Sequence, residues 1–198
     1  MYTTHSTPPA LCRGDDRILA WDVMNEPWVT EIFLGDYNDP LPGDFARHFC
    51  DRILDKRCGV PITVGAGTLD RALRLADCVD IIPFHCYEPV DQLRDELERA
   101  YRVAASYAKP VLLTECLANS ALEDVESVTD EGQLRVYERD LPVLAQARIG
   151  WFQFCLMVGR APFSYTGIFY PNGVRRPGGK LVVEAAISTP LNRKRKRA

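Results

Sequence analysis

A chain of 198 residues, 46% hydrophobic and 26% charged, has ordinary globular composition and the length for one sizeable core. No run of ~18 apolar residues occurs, which excludes a membrane-spanning helix, and no basic n-region leads into an apolar h-region, so no secretory leader is visible. The formal charge of −3 hides an asymmetry: five consecutive basic residues run from Arg193 to Arg197, and the rest of the chain is acidic. An acidic body repels nucleic acid and is indifferent to a neutral polymer such as a polysaccharide, so no nucleic-acid partner is expected.

In chain order, Ile18 to Glu26 reads as an apolar strand that ends on an amide and a carboxylate, with Pro27 forbidding further ladder pairing. A helix capped by Asp44 follows, with Phe45, Phe49, Ile53 and Leu54 on one face. Val60–Gly65 is the next strand, Asp70–Ala76 a short helix, and Val79–His85 a third strand. A long amphipathic helix spans about Asp91–Tyr107, with Leu93, Leu97, Tyr101 and Ala104 on its buried stripe. The strand Pro110–Glu115 ends on a second glutamate. A helix near Glu131–Ala147, a strand Ile149–Phe154 and a helix at Lys180–Ile187 complete the series.

Strands apolar on both faces, alternating with helices, call for a parallel sheet covered by helices. Open doubly wound sheets and closed barrels both fit. No Gly-x-Gly-x-x-Gly or phosphate-loop sequence follows any strand, which counts against nucleotide-binding versions. Polar residues gather instead at strand C-termini (Asn25, Glu26, His85, Tyr87, Glu115 and Trp151), the end at which barrel enzymes build their sites. Five strand-helix units are present where a full barrel has eight in ~250 residues. The expected organisation is an irregular segment at 1–14, a partial (β/α)8 barrel of strands four to eight at 15–190, and a basic disordered tail at 191–198. Its first and last strands would expose unpaired edges, so a partner chain supplying the missing strands is one expectation, and a truncated product is the other.

Seven cysteines occur, at 12, 50, 58, 78, 86, 116 and 155, with no Cys-x-x-Cys spacing. They read as small apolar core residues rather than a disulfide framework or zinc site, which suits an intracellular protein, although the compartment itself stays unassigned. Three histidines without a His-x-His or His-x-x-x-His pair argue against a metal hydrolase, and no Gly-x-Ser-x-Gly supports a serine hydrolase.

Trp-Asp-x-x-Asn-Glu-Pro at 21–27, His-x-Tyr at 85–87, Thr-Glu at 114–115 and Gly-Trp at 150–151 stand in the order seen in clan A glycoside hydrolases. The chain most resembles family five, the cellulase and mannanase group, over about residues 15–187; the segment Thr166–Gly173 resembles the one that follows the last barrel strand. The resemblance implies a retaining β-glycosidase acting on a β-glucan or β-mannan, without metal or organic cofactor. It implies Glu26 as acid/base and Glu115 as nucleophile. Asn25 would bond the sugar 2-hydroxyl, His85 would hold substrate hydroxyls, Tyr87 would donate to Glu115, and Trp151 would be the stacking floor. Trp28 and Tyr165 are further aromatic candidates for outer subsites.

The residue types suit that chemistry. Retaining hydrolysis needs two carboxyls ~5–5.5 Å apart, one protonated and one ionised. At an effective dielectric near 20, two negative charges that close repel by about 3 kcal/mol, which favours a single shared proton. Period-two alternation would put Asn25 and Glu26 on opposite faces, so both point inward only if the strand bulges or breaks before Pro27. Relatives also place an Arg and a His on earlier strands. Neither Arg13 nor His5 maps onto them, and the alternative reading is therefore an impaired fragment that binds carbohydrate, or half of a split barrel.

Overall fold

The computed structural model describes residues 17–28, 40–54, 59–117, 129–158 and 167–188. The expected N-terminal segment, the basic tail, Tyr165, and residues 5, 12, 13, 58 and 166 lie outside these. Strands and helices alternate along the described residues: β1 (Trp21–Asn25), α1 (Leu41–Leu54), β2 (Ile62–Gly65), α2 (Leu69–Leu73), β3 (Ile82–Cys86), α3 (Val90–Tyr107), β4 (Val111–Cys116), α4 (Asp130–Gln146), β5 (Gly150–Gln153) and α5 (Gly178–Ser188). They pack as two compact units, Met1–Phe84 with Val103–Val111, and His85–Arg102 with Leu112–Ala198. The architecture is α/β with parallel strand pairs.

In unit one, β1 and β2 run parallel, with Trp21 opposite Ile62 and Asn25 opposite Gly65. All four residues of β2 are buried, as a β-branched run covered on both faces should be. The approach to β3 is stitched to β2 partly by side chains. The Ile62 amide donates to Asp80 Oδ2 at 2.9 Å, the Thr63 hydroxyl donates to the Ile81 carbonyl, and the Asp80 amide donates to the Ile62 carbonyl. Pro83, inside β3, has no N–H to offer a ladder.

Helix α1 packs on β1 and β2. It begins three residues before Asp44, whose amide donates to the Pro40 carbonyl at 3.0 Å, so Asp44 sits in the first turn rather than at the cap. Pro42 is tolerated because first-turn amides have no helical acceptor. The buried face also differs from the apolar pattern. Ala46 and Cys50 are fully buried, whereas Phe45 is 49% exposed and Phe49 39%, their rings 4.7 Å apart at the surface. Small residues let the helix lie close to the strands, and the large rings are turned aside. Helix α2 is capped by Thr68, whose hydroxyl accepts from the Arg71 amide. It ends at Leu73, short of the expected Ala76, because the amides of 74–76 bond three residues back and tighten the chain into a turn.

Unit two carries the end of β3 beside β4 and then β5. On α3, Leu93, Leu97 and Ala100 are buried while Tyr101 is 37% exposed, its hydroxyl accepting from the Arg148 amide. The ring lies at the rim of the stripe because its polar end needs a partner. Helix α4 is capped by Thr129, which accepts from the Gly132 amide at 3.0 Å, and Asp130 and Glu131 follow in the first turn, where carboxylates oppose the helix dipole. Helices α4 and α5 pack together. A Cβ at Gly178 would lie 2.7 Å from Gln133 Oε1 and 2.9 Å from Tyr137 Cδ2, so only glycine permits this approach.

The C-terminal part of unit two is tied to α4 by one ionic cluster. The Arg176 side chain, 1% exposed, donates to Asp130 Oδ1 at 2.8 Å and to the Gly167 carbonyl, and the Tyr170 hydroxyl donates to Asp130 Oδ2. The Tyr170 hydrogen bond holds the Asp130 carboxyl below its ordinary range; burial opposes this and Arg176 reinforces it. A depressed carboxyl contributes stability that is fully present above the unfolded-state value near ~3.9 and lost as pH falls through the lower folded value. Asp130→Asn strands the buried guanidinium and should cost about 2–3 kcal/mol at pH 7. In urea denaturation of both proteins, that difference should shrink below pH ~4.

Candidate active site

Unit one contributes the end of β1. Asp22 faces Thr63 and Asn25 faces Gly65, so three residues of β1 advance while two of β2 do. This extra residue is a bulge, and it resets which side each later side chain takes. Glu26, next in line, has a left-handed backbone at φ 44°, and its amide donates to the Gly65 carbonyl. For a non-glycine residue that conformation costs about 1 kcal/mol, and it turns the side chain off the strand path before Pro27. Asp22 Oδ1 accepts from the Gly65 amide at 2.9 Å, filling the bond the bulge disrupts.

The Glu26 carboxyl lies against Gly67. A Cβ there would sit 3.3 Å from Glu26 Oε1 and 3.7 Å from Arg71 Nη1, and Gly67 has φ +75°. The backbone conformation therefore favours glycine, and a Cβ here would press on the Glu26 carboxyl, which would have to give by a few tenths of an ångström. Asn25 is exposed. Trp28 is 2% exposed, packed under Gly43 with the Arg74 guanidinium 5.5 Å from its ring centre, which makes it core of unit one rather than an outer-subsite wall.

Unit two contributes His85 from β3, Tyr87 just after it, and Glu115 from β4. The Tyr87 hydroxyl donates to Glu115 Oε2, and His85 Nδ1 lies 3.4 Å from the same oxygen. The imidazole is 1% exposed and the Glu115 side chain 19%, so the carboxyl is held from the protein side and open on another. Among the described residues no hydrogen bond engages Glu115 Oε1. Tyr87 and His85 thus orient one oxygen of the carboxyl. His85 Nδ1 and Glu115 Oε2 are also ligand types that a divalent cation would accept.

Here too the ladder slips. Leu113 faces Trp151 and Cys116 faces Gln153, so β4 gains a residue on β5 immediately around Glu115. Trp151 is half-buried and lies two residues deeper along the sheet than Glu115, a separation of roughly 6–7 Å at ~3.3 Å per residue. The ring set edge-on against Tyr87 is Phe154, 6.1 Å between centroids and 77° between planes. The sequence points to Trp151 and not to Phe154, because the slip of the ladder leaves no mark in the alternation of apolar residues. The aromatic run from Trp151 to Phe154 was the one available signal.

Competing nucleophiles are close by and inert. Cys86 and Cys116 end β3 and β4 and are buried. Burial pushes the Cys86 thiol up to about 11 and the Cys116 thiol well above its ordinary value, so both stay protonated at neutral pH.

No family profile matches the chain, and no curated protein does. Solved structures do. A β-D-glucuronidase of Dictyoglomus thermophilum superposes with a TM-score of 0.55 at 19% identity, over 83% of this chain and 32% of that one. A β-glucuronidase of an uncultured Clostridium species superposes with a TM-score of 0.56 at 16% identity, over 85% of this chain and 32% of that one. This chain therefore spans about a third of the length of either enzyme, and what it shares with them is a glycoside-hydrolase-like α/β fold.

Proposed function

We propose that the chain is a retaining β-glycosidase of the family-five type, built on part of a (β/α)8 barrel, with Glu115 as nucleophile and Glu26 as acid/base. One observation carries this reading: Glu115, at the end of a parallel strand and with its side chain 19% exposed, has one oxygen held by Tyr87 beside a buried His85. Support for the barrel comes from the repeated strand-helix order and the likeness to the two glucuronidases. Support for Glu26 comes from its strand-end bulge and from the clearance at Gly67.

The chemistry needs only these two carboxyls. Glu115 attacks the anomeric carbon as the bond to the leaving oxygen breaks, and that oxygen takes the proton of Glu26. Once Glu115 is esterified its charge is gone, so the Glu26 carboxylate can accept a proton from water. The water oxygen then attacks the anomeric carbon and Glu115 leaves as carboxylate. The two carboxyls would stand ~5–5.5 Å apart for this to proceed with retention. Asn25 would bond the 2-hydroxyl, and His85 would orient Glu115 and meet substrate hydroxyls. Phe154 joins Trp151 as a candidate stacking surface. The proposed substrate is a β-glucan or β-mannan, and β-glucuronide is the other sugar to test, because both similar structures are β-glucuronidases.

Purified protein should release phenol from aryl β-glucoside, β-mannoside or β-glucuronide, and Glu115→Gln should abolish this. Glu26→Gln should slow substrates with poor leaving groups by about 10²–10⁴. It should spare the first step on a dinitrophenyl glycoside, giving a burst of phenol followed by a slow steady state. Wild type and both variants equally inert, with sugar still bound in calorimetry, would make this a binding protein instead. Tyr87→Phe should lower kcat by roughly 10–100-fold with little change in KM, since it frees the nucleophile to wander. Gly67→Ala should cost about 1 kcal/mol in thermal unfolding and a further loss of activity by displacing the Glu26 carboxyl.

A further inference from the structure

The Glu26 carboxyl shares the space above Gly67 with a cation that takes no part in the two-carboxyl chemistry. A Cβ at Gly67 would stand 3.3 Å from Glu26 Oε1, 3.7 Å from the Glu26 carboxyl carbon and 3.7 Å from Arg71 Nη1. The two side-chain tips therefore close on one point from different elements, Glu26 from the end of β1 and Arg71 from α2, and both belong to unit one. Local structure fixes where the arginine starts. Gly67, at φ +75°, turns the chain after β2, and Thr68 caps α2 by accepting from the Arg71 amide at 3.3 Å. Leu69, Ala72 and Leu75 are buried and anchor this segment, while Arg71 is half-buried. Arg74, one turn on, is exposed and lies over the Trp28 ring instead.

We propose that Arg71 is the positioning residue of the acid/base: its guanidinium holds the Glu26 carboxyl in one place over Gly67, from which the proton passes to the leaving oxygen. This deepens the reading of Glu26 as acid/base and rests on it.

Glu26 needs such an anchor. Its side chain has several rotatable bonds, and it leaves the strand on a left-handed backbone at φ 44°, past the last paired residue of β1. A guanidinium is planar, stays charged and presents its N–H donors as a rigid fork, a shape that fixes the plane of a carboxyl as well as its position. Proton transfer is steep in distance: a misplacement of ~1 Å can cost about 100-fold in rate. The cation also favours the ionised carboxyl, the form that accepts a proton from water in the proposed second step; in the first, the charge on Glu115 opposes it.

The test is the leaving-group dependence of kcat/KM in the full chain, read on aryl β-glycosides from dinitrophenyl to phenyl. Arg71→Met should lower kcat/KM about 10–100-fold on the phenyl glycoside and hardly at all on the dinitrophenyl one, steepening the dependence as Glu26→Gln does more strongly. Arg71→Lys should recover part of the loss, and it carries the comparison if Arg71→Met does not fold. Arg74→Met, which removes a cation from the same segment, should leave the steepness as in wild type. Added to Glu26→Gln, Arg71→Met should slow the enzyme no further. An equal loss on every leaving group, or a further loss on top of Glu26→Gln, would overturn the proposal while leaving Glu26 as acid/base. A Glu26→Gln variant with unchanged steepness would instead overturn the acid/base reading and this proposal with it. Thermal unfolding gives a readout without turnover: the fall in Tm of the double variant Glu26→Gln with Arg71→Met should be smaller than the two single falls together. Strict additivity would show that the side chains do not interact and would sink the proposal whether or not the chain cleaves these glycosides.

Discussion

The parallel ladder slips by one residue near the C-terminal end of a strand in each unit, and the candidate chemistry depends on that slip. A regular strand alternates its side chains, so Asn25 and Glu26 would face apart, as would Thr114 and Glu115. The extra residue between Asp22 and Asn25, and again between Leu113 and Cys116, breaks the alternation where polar groups gather. The site on β1 accepts a cost for this. Glu26 takes a backbone conformation that residues with a Cβ avoid, and the exposed Asp22 spends a carboxylate oxygen on the Gly65 amide.

Side chains replace backbone partners elsewhere as well. Asp80 and Thr63 supply bonds next to β2, and Lys109 caps two carbonyls of the turn that precedes β3. Each such bond is worth about 1 kcal/mol net, more where one partner is charged, but leaving the buried amide or carbonyl unmet would cost up to about 3 kcal/mol. These polar residues therefore look expendable in a hydropathy profile and are not.

Element type and order were legible in the sequence because period-two and period-3.6 patterns are carried by many residues at once. The C-terminal ends of β1, β3 and β4 were legible to within one residue, since a proline or a polar cluster marks where the apolar run stops. Faces and registers were less so. On α1 the apolar pattern pointed to Phe45 and Phe49, but close helix-strand contact selects Ala46 and Cys50 by size, which hydropathy does not encode. Phe154 was missed because ladder slip is a backbone event.

The tilted pair of rings at Phe45 and Phe49, with Leu41 at 68% exposure in the first turn of α1, gives unit one an oily ledge along that helix. Surfaces of that kind are silent in dilute buffer and dominate in concentrated ones, because salting-out ions strengthen apolar adhesion while a net charge of −3 offers little mutual repulsion. Leu41, Phe45 and Phe49 are among the exposed apolar side chains through which such ions act on this protein.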